Sequence, residues 1–196
     1  ITIFSFRNRQ IANIGSRGKN IICFGDSLTS GSNVAVNENY PSILSKMLKR
    51  NIINAGRDGD TTAAALERLE KDVLGKDPLL VIVILGGNDF LHDIPKNQTF
   101  NNLKAIISAI KSTGSMVVLG QLGPLKMYAY RDDFRKIAEE ENIFLIRDVL
   151  SGIFAHPELM SDHIHPNTKG YEKLSQSIYK SIEPILEKNK KIRGDL

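Results

Sequence analysis

Val81-Ile82-Val83-Ile84-Leu85 is an apolar run without polar alternation, and it decides the fold class. A strand with one face in water alternates between apolar and polar residues. A run like this is covered on both faces, as in a parallel sheet with helices on either side. The whole segment 79–85 has this character, and similar short, β-rich runs occur at 20–24, 51–55, 116–121 and 143–146. Between them lie longer segments with helical spacing, at Tyr40–Leu48, Thr61–Leu74, Phe100–Thr113 and Asp132–Glu141. Strands alternating with helices, joined by right-handed crossovers, predict a three-layer α/β/α sandwich. Helix ends are marked by Thr61 or Asp60 as a cap, by Gly114 just past the third helix, and by Asn167 as cap of the last. That last helix has an apolar face at Tyr171, Leu174, Ile178 and Ile182, and Pro184 predicts a kink or break after Glu183.

The chain has 196 residues, 41% of them hydrophobic, which suits one domain that buries about 70% of its unfolded surface. The expected organisation is an N-terminal extension at 1–19, a single domain at 20–187 and a charged tail at 188–196. Much of the formal net charge of +4 comes from Arg7, Arg9, Arg17, Lys19, Lys188, Lys190, Lys191 and Arg193, read as solvated ends. Their alternative use is a weak contact with anionic lipid surfaces. No basic stretch is interleaved with aromatics, so nucleic-acid binding is not expected. Cys23 is the single cysteine and packs within the first apolar run, and no run of about eighteen apolar residues suggests a membrane span.

The chemistry concentrates where strand-like runs end. Ile21-Ile22-Cys23-Phe24-Gly25-Asp26-Ser27-Leu28-Thr29-Ser30-Gly31 breaks from apolar residues into a tight polar turn, leaving the Ser27 hydroxyl at a strand end. Serine at such a place also suits a helix cap. Far downstream, Asp162-His163-Ile164-His165-Pro166 offers a carboxylate and imidazoles within one turn, the partners that a serine nucleophile needs. An imidazole with its ordinary pKa near 6.5 takes a proton at neutral pH. Asp26 and Asp89 read as structural carboxylates beside the site. His92 and His156, near Asp93 and Glu158, lack the spacing of a metal site, so no metal is expected.

Gly25-Asp26-Ser27-Leu28, Gly86-Gly87-Asn88-Asp89 and Asp162-x-x-His165-Pro166 resemble, in order and spacing, the blocks of the SGNH (GDSL) hydrolase family. The resemblance spans roughly residues 20–187. Asn54-Ala55-Gly56-Arg57-Asp58-Gly59-Asp60-Thr61 makes the chain most similar to the thioesterase I / arylesterase / lysophospholipase branch. It implies a flavodoxin-like sheet of five parallel strands in the order 2-1-3-4-5, and a triad of Ser27, His165 and Asp162 that needs no cofactor. It also implies an oxyanion hole formed by the backbone N–H of Ser27, the backbone N–H of Gly59 and the side chain of Asn88. His163 falls outside the motif and reads as a rim residue. Gly56 stands where the branch often has serine, a departure that alters the shape of that loop.

The activity implied is hydrolysis of small-molecule acyl esters or thioesters, including aryl esters and lysophospholipids, through an acyl-enzyme. Phe90, Leu91, Leu122, Pro124 and Ile164 are the expected acyl contacts, with Leu125, Met127, Tyr128 and Tyr130 in the same loops. Two other readings remain open: an O-acetylesterase for carbohydrate or peptidoglycan on the same scaffold, and a non-catalytic flavodoxin-like binding protein. Relatives of this branch are often exported, and the sequence starts Ile-Thr-Ile without Met. The expected location is therefore periplasmic or secreted, with the cytoplasm as the alternative.

Overall fold

The computed structural model describes residues 11–123 and 125–195. Five strands, β1 (Asn20–Gly25), β2 (Ile52–Gly56), β3 (Pro78–Ile84), β4 (Met116–Gly120) and β5 (Phe144–Ile146), form one parallel sheet. Their order is β2-β1-β3-β4-β5, as expected. Every residue of β3 is buried, because this strand lies between β1 and β4 and is covered on both faces. The helices are α1 (Ser27–Ser30), α2 (Tyr40–Leu48), α3 (Thr62–Asp72), α4 (Gly87–Leu91), α5 (Lys96–Ser112), α6 (Arg131–Glu140) and α7 (Thr168–Arg193). α2 packs on α7, while α5 packs on α3 and α6, giving the two helical layers of an α/β/α sandwich. Among the described residues no helix is long and apolar enough to cross a membrane.

Caps fix where the helices start. Asn39, Thr61 and Asn167 each accept a backbone N–H from the first turn of α2, α3 and α7 respectively. Thr61 is thus the cap of α3, and Asp60 is free for another role. α5 begins one turn earlier than the apolar pattern predicts, because its first residues, Lys96-Asn97-Gln98-Thr99, are polar and carry no periodic signal.

Two expectations at the C-terminal end are corrected. α7 runs unbroken through Pro184. Pro184 and Lys180 are both exposed, so the Lys180 carbonyl that loses its amide partner faces water, while Ile182, Ile185 and Leu186 stay buried. Burial of that face offsets a proline cost of about 3 kcal/mol. Lys188–Arg193, read as solvated tail, form the last turns of the same helix. There the buried Asn189 donates from Nδ2 to the carbonyls of Ile14 (2.8 Å) and Ser16 (3.0 Å). The start of the described chain is packed as well: Asn13 Nδ2 donates to the carbonyls of Lys111 (2.8 Å) and Ser115 (3.0 Å).

Candidate active site

The C-terminal edge of the sheet gathers the three sequence blocks. β1 ends at Gly25, and Asp26 caps α1 by accepting the backbone N–H of Leu28 at 3.1 Å, which makes Ser27 the first residue of the helix rather than its cap. Ser27 Oγ lies 2.9 Å from His165 Nε2, across 138 residues of sequence. His165 Nδ1 lies 2.8 Å from Asp162 Oδ2. Since a carboxylate only accepts, Nδ1 carries the proton and Nε2 is left to accept from the serine hydroxyl. This is the geometry of a nucleophile, its base and the group that orients the base.

Asp162 is held in a tight loop of its own making. Its Oδ1 accepts the backbone N–H of Ile164 (2.8 Å) and of His165 (2.7 Å), and Oδ2 also accepts Asn33 Nδ2 at 2.8 Å. Partial burial pushes its pKa up, but His165 and the two backbone donors outweigh that and hold the carboxyl well below the usual range. It is therefore ionised at any pH where His165 acts as a base. Asn33, in the left-handed region with φ of 67°, belongs to none of the three blocks and was not picked out by sequence.

The expected oxyanion donors lie in three different segments. Among the described residues no acceptor within the chain engages the backbone N–H of Ser27 or of Gly59. Gly59 has φ of 76°, a conformation that glycine adopts without penalty. Its loop is tied to α1 and the turn that follows: Asp58 accepts from the hydroxyls of Ser30 and Ser32, the latter at 2.8 Å. Asn88, in the first turn of α4, donates one hydrogen of Nδ2 to the carbonyl of Asp60 at 3.0 Å, which leaves the second for a ligand. Asp89 is structural as expected, fully buried and bonded to Thr62 through its N–H (2.8 Å) and hydroxyl (2.5 Å).

A groove of about 400 Å³ opens beside Ser27 and His165. Of the expected acyl contacts, Phe90, Leu91, Leu122 and Ile164 line it, together with Met127 and His163. Pro124 lies outside the described residues, whereas Tyr128 and Tyr130 do not line the groove. Leu28, Leu150 and Phe154 complete the wall and were not anticipated. Leu150 and Phe154 follow β5 in a stretch of turns, and the signal that locates them is their position after a strand end.

Asp26 is buried beneath this groove, and burial pushes its carboxyl up to about 7 against the opposing pull of the Leu28 N–H and of His165. Cys23, three residues earlier in β1, is equally buried, and its thiol is pushed up to about 12, which leaves it inert.

The chain is similar to known ester hydrolases in sequence and in fold. The chain is 29% identical over 174 residues to an arylesterase of Vibrio mimicus, covering 83% of this chain and 87% of the arylesterase. It is 27% identical over 175 residues to thioesterase 1/protease 1/lysophospholipase L1 of Escherichia coli K12, covering 85% of this chain and 84% of that enzyme. Its fold matches the crystal structure of TesA with a TM-score of 0.80 at 25% identity, over 85% of this chain and 99% of TesA. The structure of AlinE4, an SGNH-hydrolase family esterase, matches with a TM-score of 0.67 at 31% identity, over 86% of this chain and 97% of AlinE4. Residues 23–173 match the family described as GDSL-like Lipase/Acylhydrolase, and the chain belongs to that family of hydrolases.

Proposed function

We propose that this hydrolase cleaves acyl esters and thioesters of short to medium chain through an acyl-enzyme on Ser27. The observation that carries the reading is the unbroken relay from Asp162 through His165 to Ser27 at 2.8 and 2.9 Å, opening onto a groove walled by apolar side chains. Ser27 Oγ attacks the substrate carbonyl while its proton passes to His165 Nε2, and Asp162 stabilises the imidazolium. The oxyanion of the tetrahedral intermediate is met by the N–H groups of Ser27 and Gly59 and by Asn88 Nδ2. Collapse expels the alcohol or thiol, which takes the proton from Nε2. Water then repeats the sequence on the acyl-enzyme and releases the acid.

The groove favours longer acyl chains over acetyl, since each buried methylene is worth roughly 0.8 kcal/mol. The relatives, an arylesterase and a thioesterase/lysophospholipase, support the same substrate classes. The test is the initial rate on p-nitrophenyl esters from acetyl to palmitoyl, for the wild type and Ser27→Ala in parallel. Turnover that peaks beyond acetyl and disappears in Ser27→Ala is the expected result. A sharp acetyl preference would overturn the chain-length part, and near-normal turnover by Ser27→Ala would overturn the mechanism.

A further inference from the structure

α3 carries one charged residue where its apolar face turns inward. Arg68 is 7% exposed, and its guanidinium lies 4.6 Å from the centre of the Phe24 ring. Each nitrogen has its own acceptor: Nε donates to Asp60 Oδ2 (2.6 Å), Nη1 to Asp72 Oδ2 (3.0 Å) and Nη2 to the carbonyl of Gly25 (3.1 Å). A buried guanidinium in ion pairs is a poor general stabiliser, because desolvation cancels much of its attraction. What it supplies is a rigid planar fork whose acceptors must stay in register.

The acceptors identify what is kept in register. Gly25 is two residues before Ser27, and its carbonyl also takes the backbone N–H of Arg57 (3.0 Å), which opens the loop containing Gly59. Asp60 directly follows Gly59, and its carbonyl takes Asn88 Nδ2 (3.0 Å). One side chain thus bonds two of the three segments that present the expected oxyanion donors, at the Gly25 carbonyl and the Asp60 carboxylate, and is linked to the third through the Asp60 carbonyl that takes Asn88 Nδ2. We infer that Arg68 is a positioning residue for the oxyanion hole, setting the spacing of the Ser27, Gly59 and Asn88 donors without touching the substrate. The inference rests on the acyl-enzyme reading above.

Arg68→Lys keeps the charge and the aliphatic stem but cannot bond three separated acceptors in one plane. Active sites in each preparation are counted by the end-point of fluorophosphonate labelling, and kcat and KM are measured per labelled site on p-nitrophenyl esters. The expected result is a kcat per site lower by about 10- to 100-fold, with KM and the acyl-chain profile within about 3-fold of wild type, as for weakening of one or two oxyanion donors. A purely structural Arg68 would lower the number of labelled sites and leave kcat per site unchanged, and that result overturns the inference. Asp60→Asn keeps the side-chain shape and one acceptor for Nε, so it provides a second arm should Arg68→Lys not fold. It is expected to lower kcat per site several-fold at unchanged KM, and a normal kcat per site in that variant equally overturns the inference. Ser27→Ala, run alongside, separates the two levels: if it keeps turnover, the acyl-enzyme reading itself has failed.

Discussion

Replacing Asp26 by Asn is expected to change how stability depends on pH. Asp26 is 2% exposed, and burial lifts its carboxyl from the ordinary 3.8 to about 7. Between those two values the unfolded chain has released the Asp26 proton while the folded chain still holds it. Stability contributed by this group is complete below about pH 3.8 and is lost as pH rises through about 7. At about 1.4 kcal/mol per pH unit, the native state above pH 7 carries a penalty on the order of 4 kcal/mol. Asparagine has the same shape, caps α1 equally well and offers an oxygen to the Leu28 N–H, but it has no charge to desolvate. The stability of Asp26→Asn relative to wild type, from urea unfolding at pH 5 and pH 8, is therefore expected to improve by on the order of 3 kcal/mol between the two. Taking the difference between variants cancels the other carboxylates, including Asp162, whose lowered pKa acts in the opposite direction. An advantage of the same size at both pH values would refute the reasoning, since it would mean that Asp26 ionises in the fold as it does in water.

The other expected outcomes are local. Asn88→Ala removes the proposed side-chain oxyanion donor and should lower kcat by about 100- to 1000-fold with little change in KM, read on p-nitrophenyl esters. Phe154→Ala enlarges the groove and should move the chain-length optimum to longer esters, each added methylene gaining up to about 4-fold in kcat/KM. An unchanged profile would place the acyl chain elsewhere. Gly56→Ser restores the residue common in the thioesterase branch but sets a Cβ 2.1 Å from the backbone N of Ser30. Thermal melting should show a loss of about 1–3 kcal/mol, and an unaltered Tm would mean that the loop yields without cost.

The parts of this molecule that were legible in its sequence are those governed by periodicity. Val81–Leu85 announced a strand covered on both faces, and the apolar repeat of Tyr40–Leu48 placed α2 within its true limits. Pro184 misled because propensity describes an isolated helix, whereas packing of Ile182, Ile185 and Leu186 decides the real one. Ser27, His165 and Asp162 were found as candidates because their chemistry demands particular residue types, a hydroxyl at the end of β1 and a carboxylate three residues before an imidazole. Asn33, Leu150, Phe154 and Arg68 were not, for their placement depends on how separate segments pack together in space. Nothing in the spacing of Arg68 distinguishes a guanidinium buried under a loop from one in water. The same holds for Asn189, whose burial follows from the docking of residues 14–16 against α7.

The separation of Ser27 from its base has a consequence for the life of the chain before it is fully folded. The contact spans 138 residues, so almost the whole domain must be made and assembled before His165 meets the hydroxyl. Until the Asp162–His165 loop docks, Ser27 is an ordinary alcohol at the end of a strand. On the proposed mechanism, a nascent or frayed chain therefore carries no activated nucleophile. On that reading, reactivity arrives only with this long-range contact, which makes labelling of Ser27 a report on its formation.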